Sequence, residues 1–177
     1  MKIYLSSTYE DLKDHRRAVY EALRKAGHAV IAMEDYVARD QRPVDKCLAD
    51  VARADIYLGL FAFRYGYVPP PEHQNPNGLS ITELEFRQAE SQPQTRCLTY
   101  VLDEKAPWPQ SLCDSWTDKT AWGEPIRRLR NELRTEKLAP TFSSPHQLAS
   151  EVLAAVSQEE KGAKSGTSAA TILWDRA

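Results

Sequence analysis

The spacing of apolar positions changes several times along the chain, and the changes predict strands alternating with helices. Ile3, Tyr4 and Leu5 form a short β-type run that opens a first strand. Leu12, Val19, Leu23 and Ala26 then recur on one helical face, with Arg16, Arg17, Arg24 and Lys25 elsewhere. Ser7 and Glu10 have capping-box spacing for the start of that helix, and Gly27 closes it. Residues 29–33 read as a second strand. Pro43 suits a first helical position, and Val44, Cys47, Leu48 and Val51 continue the stripe. The near-continuous apolar run 56–62 suits a central strand buried on both faces, as in parallel sheets.

Residues 63–79 carry no period and are rich in Pro, Asn and Gly, so they predict a long loop of a kind that is often functional. A helix follows over 80–91 and a fourth strand over 96–102. Residues 103–123 read as irregular, with Trp108, Trp116 and Trp122 as packing anchors. Ile126, Leu129 and Leu133 space an arginine-rich helix, and 140–142 a short fifth strand. Ser144 and Pro145 cap a last helix with Leu148, Val152 and Val156 inward. From Glu159 the Lys, Gly, Ser and Ala content reads as a flexible linker. The expected organisation is one α/β domain over 1–158, then a linker or the start of a further region over 159–177. The order of elements predicts a parallel sheet with helices on both faces.

Composition narrows the function classes. A 42% hydrophobic share in 177 residues suits one ordinary core. A net charge of -2 and a pI near 6.1 give no global pull toward nucleic acid or anionic membrane. The longest apolar run is too short to span a bilayer, and Met1 leads into a polar Ser-Ser-Thr without a signal-peptide core. The 3 cysteines, Cys47, Cys97 and Cys113, read as reduced thiols of a cytoplasmic protein. No Cys/His spacing fits zinc, so no metal is expected.

Three stretches carry candidate chemistry. Ser6, Ser7 and Thr8 stand between a strand and a helix start, where hydroxyls and backbone N–H groups can hold a ribose or phosphate; capping alone would also explain them. No P-loop or G-x-G-x-x-G is present, so a nucleotide would not be held in those manners. Arg64, Tyr65, Gly66 and Tyr67 offer a cation, two rings and a flexible backbone point for a base and a phosphate, or an aromatic plug over the sheet end. Ser80 and Glu83 form a capping box, which is a sufficient reason for Glu83. Glu85 does not cap. Residues two apart on a helix point about 200° from each other, so only one of the two glutamates can face a cleft. Arg127, Arg128, Arg130 and Arg134 make a local basic helix that reads as a solvated face or a partner contact.

Five stretches in order (3–8 with Asp11, Leu12 and Arg16; 33–34; 54–57; 64–70; 80–86) resemble a TIR-like domain of unknown function of the DUF4062 type. Such domains stand N-terminal to NACHT and other STAND-type ATPases carrying WD or TPR repeats. The resemblance covers roughly 1–156. It implies a flavodoxin-like three-layer sandwich with a mainly parallel sheet of about five strands, close to TIR domains and nucleoside deoxyribosyltransferases. Both relatives place a glutamate on the helix after the third strand and cleave an N-glycosidic bond. A fixed carboxylate there stabilises the charge developing on the sugar or bonds to it. A hydroxyl residue three before the glutamate fits Ser80 and Glu83; an alanine four after it fits Glu85 and Ala89. Glu83 is slightly preferred, because its position directs the side chain back toward the strand ends.

The resemblance thus implies an effector or signalling domain of an immune-like protein, of the kind seen in antiphage defence. It would bind a nucleotide such as NAD as substrate, with no resident cofactor, and hydrolyse its glycosidic bond. Glu83 or Glu85 would be catalytic. Ser6, Ser7, Thr8, Met33, Arg64, Tyr65, Gly66 and Ser80 would line the substrate site. The rival expectation is a non-catalytic module that self-associates or binds partner domains of a larger chain. A free-standing deoxyribosyltransferase ranks third.

Overall fold

The structure is a computed structural model, and it describes residues 1–32, 44–73, 75–114 and 123–174. Met33, Trp116 and Trp122 lie outside the described residues. Five strands, β1 (Lys2–Ser7), β2 (Ala29–Ile31), β3 (Ile56–Phe61), β4 (Arg96–Leu102) and β5 (Thr141–Phe142), form one parallel sheet in the order β2-β1-β3-β4-β5. The helices are α1 (Lys13–Lys25), α2 (Val44–Val51), α3 (Ile81–Glu90), α4 (Gly123–Thr135) and α5 (Pro145–Trp174). This is the flavodoxin-like three-layer fold that the pattern of elements calls for.

Two cores sandwich the sheet. Ile3, Leu5, Leu58 and Leu60 pack against Leu12, Val19 and Leu23 from α1 and the residue before it, and Leu148, Val152 and Val156 of α5. Tyr4, Tyr57 and Phe61 pack on the other face against Val51 of α2, Phe86 and Ala89 of α3, and Ile126, Leu129 and Leu133 of α4. All six residues of β3 are buried, as its unbroken apolar run requires at the centre of a parallel sheet. Gly59 is demanded there. A Cβ at that position would stand 2.7 Å from the Phe61 ring and 2.8 Å from the Tyr57 ring, which close over it on the same side of the strand.

Several local details depart from the sequence reading. Helix α1 starts at Lys13, with no side-chain cap, instead of at a Ser7–Glu10 box. The Ser7 hydroxyl is taken by Arg16, which donates to it at 2.8 Å, and Glu10 turns to Lys13. The end of α1 follows expectation: Gly27 has φ 86°, and the amides of Gly27 and His28 donate to Arg24 and Leu23 in a Schellman arrangement. Helix α5 runs on to Trp174, through much of the stretch whose composition reads as a linker. Arg130 is not on a solvated face. It is buried, donates to the carbonyls of Ala62 and Leu102 at 3.1 and 2.9 Å, and lies over the Phe63 ring.

Candidate functional site

In this sheet the order in which strands are added reverses between the parallel β1 and β3, and the crevice outside their carboxyl ends is where open α/β sheets take ligands. A cleft of about 670 Å³ opens there. Its floor is built by period. Successive residues of a strand face opposite sides, so Tyr4 and Ser6 of β1 both point toward α3, and Ser7 points toward α1. On α3, Thr82, Glu85, Phe86 and Ala89 recur at helical spacing and turn to the sheet. Glu85 therefore occupies a place in the buried stripe that an apolar residue would ordinarily fill.

Its carboxylate, on a residue only 6% exposed, accepts from the Tyr4 hydroxyl at 2.5 Å and from the Ser6 hydroxyl at 2.6 Å. Short bonds from two hydroxyls to one carboxylate fix its position. Tyr57 stands behind this group. Burial, reinforced by the Glu85 charge, pushes its hydroxyl well above the ordinary phenol range.

Glu83 points elsewhere. It is 1% exposed, does not line the cleft, and accepts from Tyr65 at 2.6 Å and from Arg87 at 2.9 Å. Arg128 stands 3.6 Å away. Arg87 also clamps Glu132 of α4 through both its terminal nitrogens, so this cluster ties α3 to α4. The Glu132 carboxyl is held below its usual range by that arginine. The Tyr65 hydroxyl is pushed up to about 12, first by burial and then by Glu83. Ser80 caps α3, accepting from the Glu83 amide at 3.2 Å.

Of the residues expected at a substrate site, Ser6, Ser7, Thr8, Arg64, Gly66 and Glu85 come together around the cleft. Glu83, Tyr65 and Ser80 form a group beside it, under the start of α3. Arg64 lines the cleft, and its charge also acts on Glu10 and on the buried Asp11. Two further contributors escaped the sequence reading. Tyr4 looked like an ordinary strand residue. Arg16, 1% exposed, lines the cleft from α1 and grips Ser7. Its spacing of four from Leu12 and three from Val19 places it in the buried stripe, a signal the charge obscured.

The loop before α3 is pinned. Asn75, fully buried, donates to the carbonyls of Pro69 and Leu79 and accepts from the Leu79 amide, all at 2.8–2.9 Å. Gly66 has φ 91°, and a Cβ there would stand 3.0 Å from the Thr8 methyl. That glycine lets the loop after β3 press onto the turn after β1 and close one side of the crevice. Among the described residues no cluster of His, Cys, Asp or Glu could hold a metal ion, and no helix is long and apolar enough to cross a membrane.

These features define a flavodoxin-like α/β domain with a carboxylate-floored crevice at the point where strand order reverses. The chain belongs to the family described as Domain of unknown function (DUF4062), whose pattern matches residues 2–157. It is 29% identical over 146 residues to mouse "Telomerase protein component 1", a match spanning 66% of this chain and 6% of that protein. The rat protein of the same name is 28% identical over 133 residues, covering 58% of this chain and 5% of its own length.

Proposed function

We propose that the crevice binds a nucleoside-containing small molecule such as NAD and that the domain hydrolyses its N-glycosidic bond. The observation that carries this reading is the Glu85 carboxylate, buried at the cleft floor and held by two hydroxyls. As the base leaves, positive charge develops on the ribose, and a fixed, largely buried carboxylate stabilises it while water from the open cleft attacks the anomeric carbon. Arg64, on the loop after β3, suits a phosphate of the same ligand. Glu83, spent on Tyr65 and Arg87, is the structural glutamate in this scheme.

In a larger protein the domain would serve as an effector or signalling module, in line with its likeness to a small fraction of a much longer chain. The STAND-type context belongs to this proposal too. That same small fraction also favours a second reading, an adaptor that self-associates or docks on neighbouring domains without turnover.

The test incubates the protein, held together by a fused oligomerising tag, with NAD and measures free nicotinamide. Release that disappears in Glu85→Gln and persists in Glu83→Gln supports the enzyme. No release from the assembled wild-type protein, or release unaffected by Glu85→Gln, leaves the adaptor.

A further inference from the structure

Three large apolar side chains stand out in solvent among the described residues, and two of them, Tyr9 at 39% and Tyr67 at 49% exposed, line the cleft. Tyr9 comes from the turn after β1 and Tyr67 from the loop after β3, so each of the two loops flanking the crevice contributes a ring. One ring and the backbone of the other are held in place. The Lys13 ammonium sits 5.2 Å from the centre of the Tyr9 ring. The Tyr67 carbonyl accepts from the Ile81 amide at 2.9 Å, and the preceding Gly66 is wedged against Thr8. Leaving two such rings exposed at a cleft forgoes burial on folding that a ligand can supply.

We infer that Tyr9 and Tyr67 are the base-binding residues of this cleft, stacking on a planar heteroaromatic ring while Glu85 below meets the sugar. This rests on the nucleoside reading above and deepens it. The polar floor and the aromatic mouth divide the ligand between them. The carboxylate can accept from a ribose hydroxyl, and the rings offer flat apolar area that pays little conformational entropy on binding. Stacking tolerates any base, since every base has a π-face, so the mouth selects for the presence of a base more than for its identity. Tyr65, whose ring lies in the core with its hydroxyl on Glu83, takes no part.

Binding is measured on the full chain carrying Glu85→Gln, so that turnover does not intrude, with nicotinamide riboside, adenosine and the base-free methyl riboside as calorimetric probes, none of which carries a phosphate for Arg64. Both nucleosides are expected to bind, and methyl riboside at least tenfold more weakly. Adding Tyr67→Ala or Tyr9→Ala should weaken the nucleosides about tenfold each and leave methyl riboside unchanged; Tyr67→Phe should keep the affinity, because the ring and not the hydroxyl is used. Both side chains are exposed, so the truncations leave the core intact. Equal binding of methyl riboside and nucleosides, or nucleoside affinity untouched by both alanine variants, overturns the assignment. Nucleoside binding that depends on the rings, with no nicotinamide release by the assembled wild-type protein, would remove the hydrolase and leave this site standing.

Discussion

The carboxylate at the cleft floor offers the sharpest test of the structure, because its two bonds can be removed one at a time. Tyr4→Phe deletes the hydroxyl 2.5 Å from Glu85 and leaves the ring in place; Ser6→Ala deletes the one at 2.6 Å. Hydrogen bonds to a charged group contribute about 1.5–3 kcal/mol each, and Tyr4, 3% exposed, leaves little room for water to take over. Each variant should therefore lose about 2 kcal/mol. For a chain of this size that is about 4–8 °C in Tm. The decisive step is the double-mutant cycle with Glu85→Met, which removes the charge and keeps the bulk. In that background Tyr4→Phe should cost at least about 1 kcal/mol less, since the hydroxyl has lost its acceptor. Thermal unfolding followed by fluorescence reads all four corners. Additivity within about 0.5 kcal/mol would show that Tyr4 does not hold Glu85, and the geometry argued for the cleft floor would fall with it.

Two other expectations follow from buried charges. Arg130 donates to two backbone carbonyls from a buried position; Arg130→Met should cost about 2–3 kcal/mol, seen as a Tm lower by about 4–12 °C, and Arg130→Lys less, because one ammonium cannot fork between both. An unchanged Tm would contradict the importance of those two bonds. Asp11 is buried with neither oxygen in a close hydrogen bond among the described residues, and burial raises its pKa above the ordinary value against the opposing pull of Thr8 and Arg64. The folded state then holds its proton more tightly than the unfolded chain, so this residue's contribution is present below about pH 4 and is lost as pH rises through the folded value. Asp11→Asn should flatten that fall and leave the protein no less stable at pH 7 by urea denaturation; a steeper loss of stability with pH in the variant would sink the assignment.

The layered sheet was legible because its period was clean. The apolar run 56–62 suited a central strand, which the structure has over Ile56–Phe61, and Leu148, Val152 and Val156 were read as facing inward and do. The site was legible by location and less so by residue. The hydroxyls at the carboxyl end of β1 and Arg64 after β3 were placed by the rule for strand ends. The two glutamates could be separated only by asking which one shares a stripe with Phe86 and Ala89, and the capping box drew attention to Glu83 instead. Arg16 was passed over because a charge in a buried stripe reads as a break in the stripe until its partner, Ser7, is seen. The exposed rings of Tyr9 and Tyr67 gave no sequence signal, since aperiodic loops do not reveal which side chains they leave uncovered.

The far end of the sheet has a practical meaning of its own. Glu160 reaches the amino group of Met1 at 3.9 Å and His28 at 3.6 Å, and Glu159 reaches Arg96 at 3.5 Å; these three partners sit at or just before the starts of β1, β2 and β4. Helix α5 thus leaves the sheet by the amino-terminal rim, on the side away from the crevice. A tether appended beyond that helix pulls from behind the domain, so copies can be gathered on a scaffold with every mouth still facing solution.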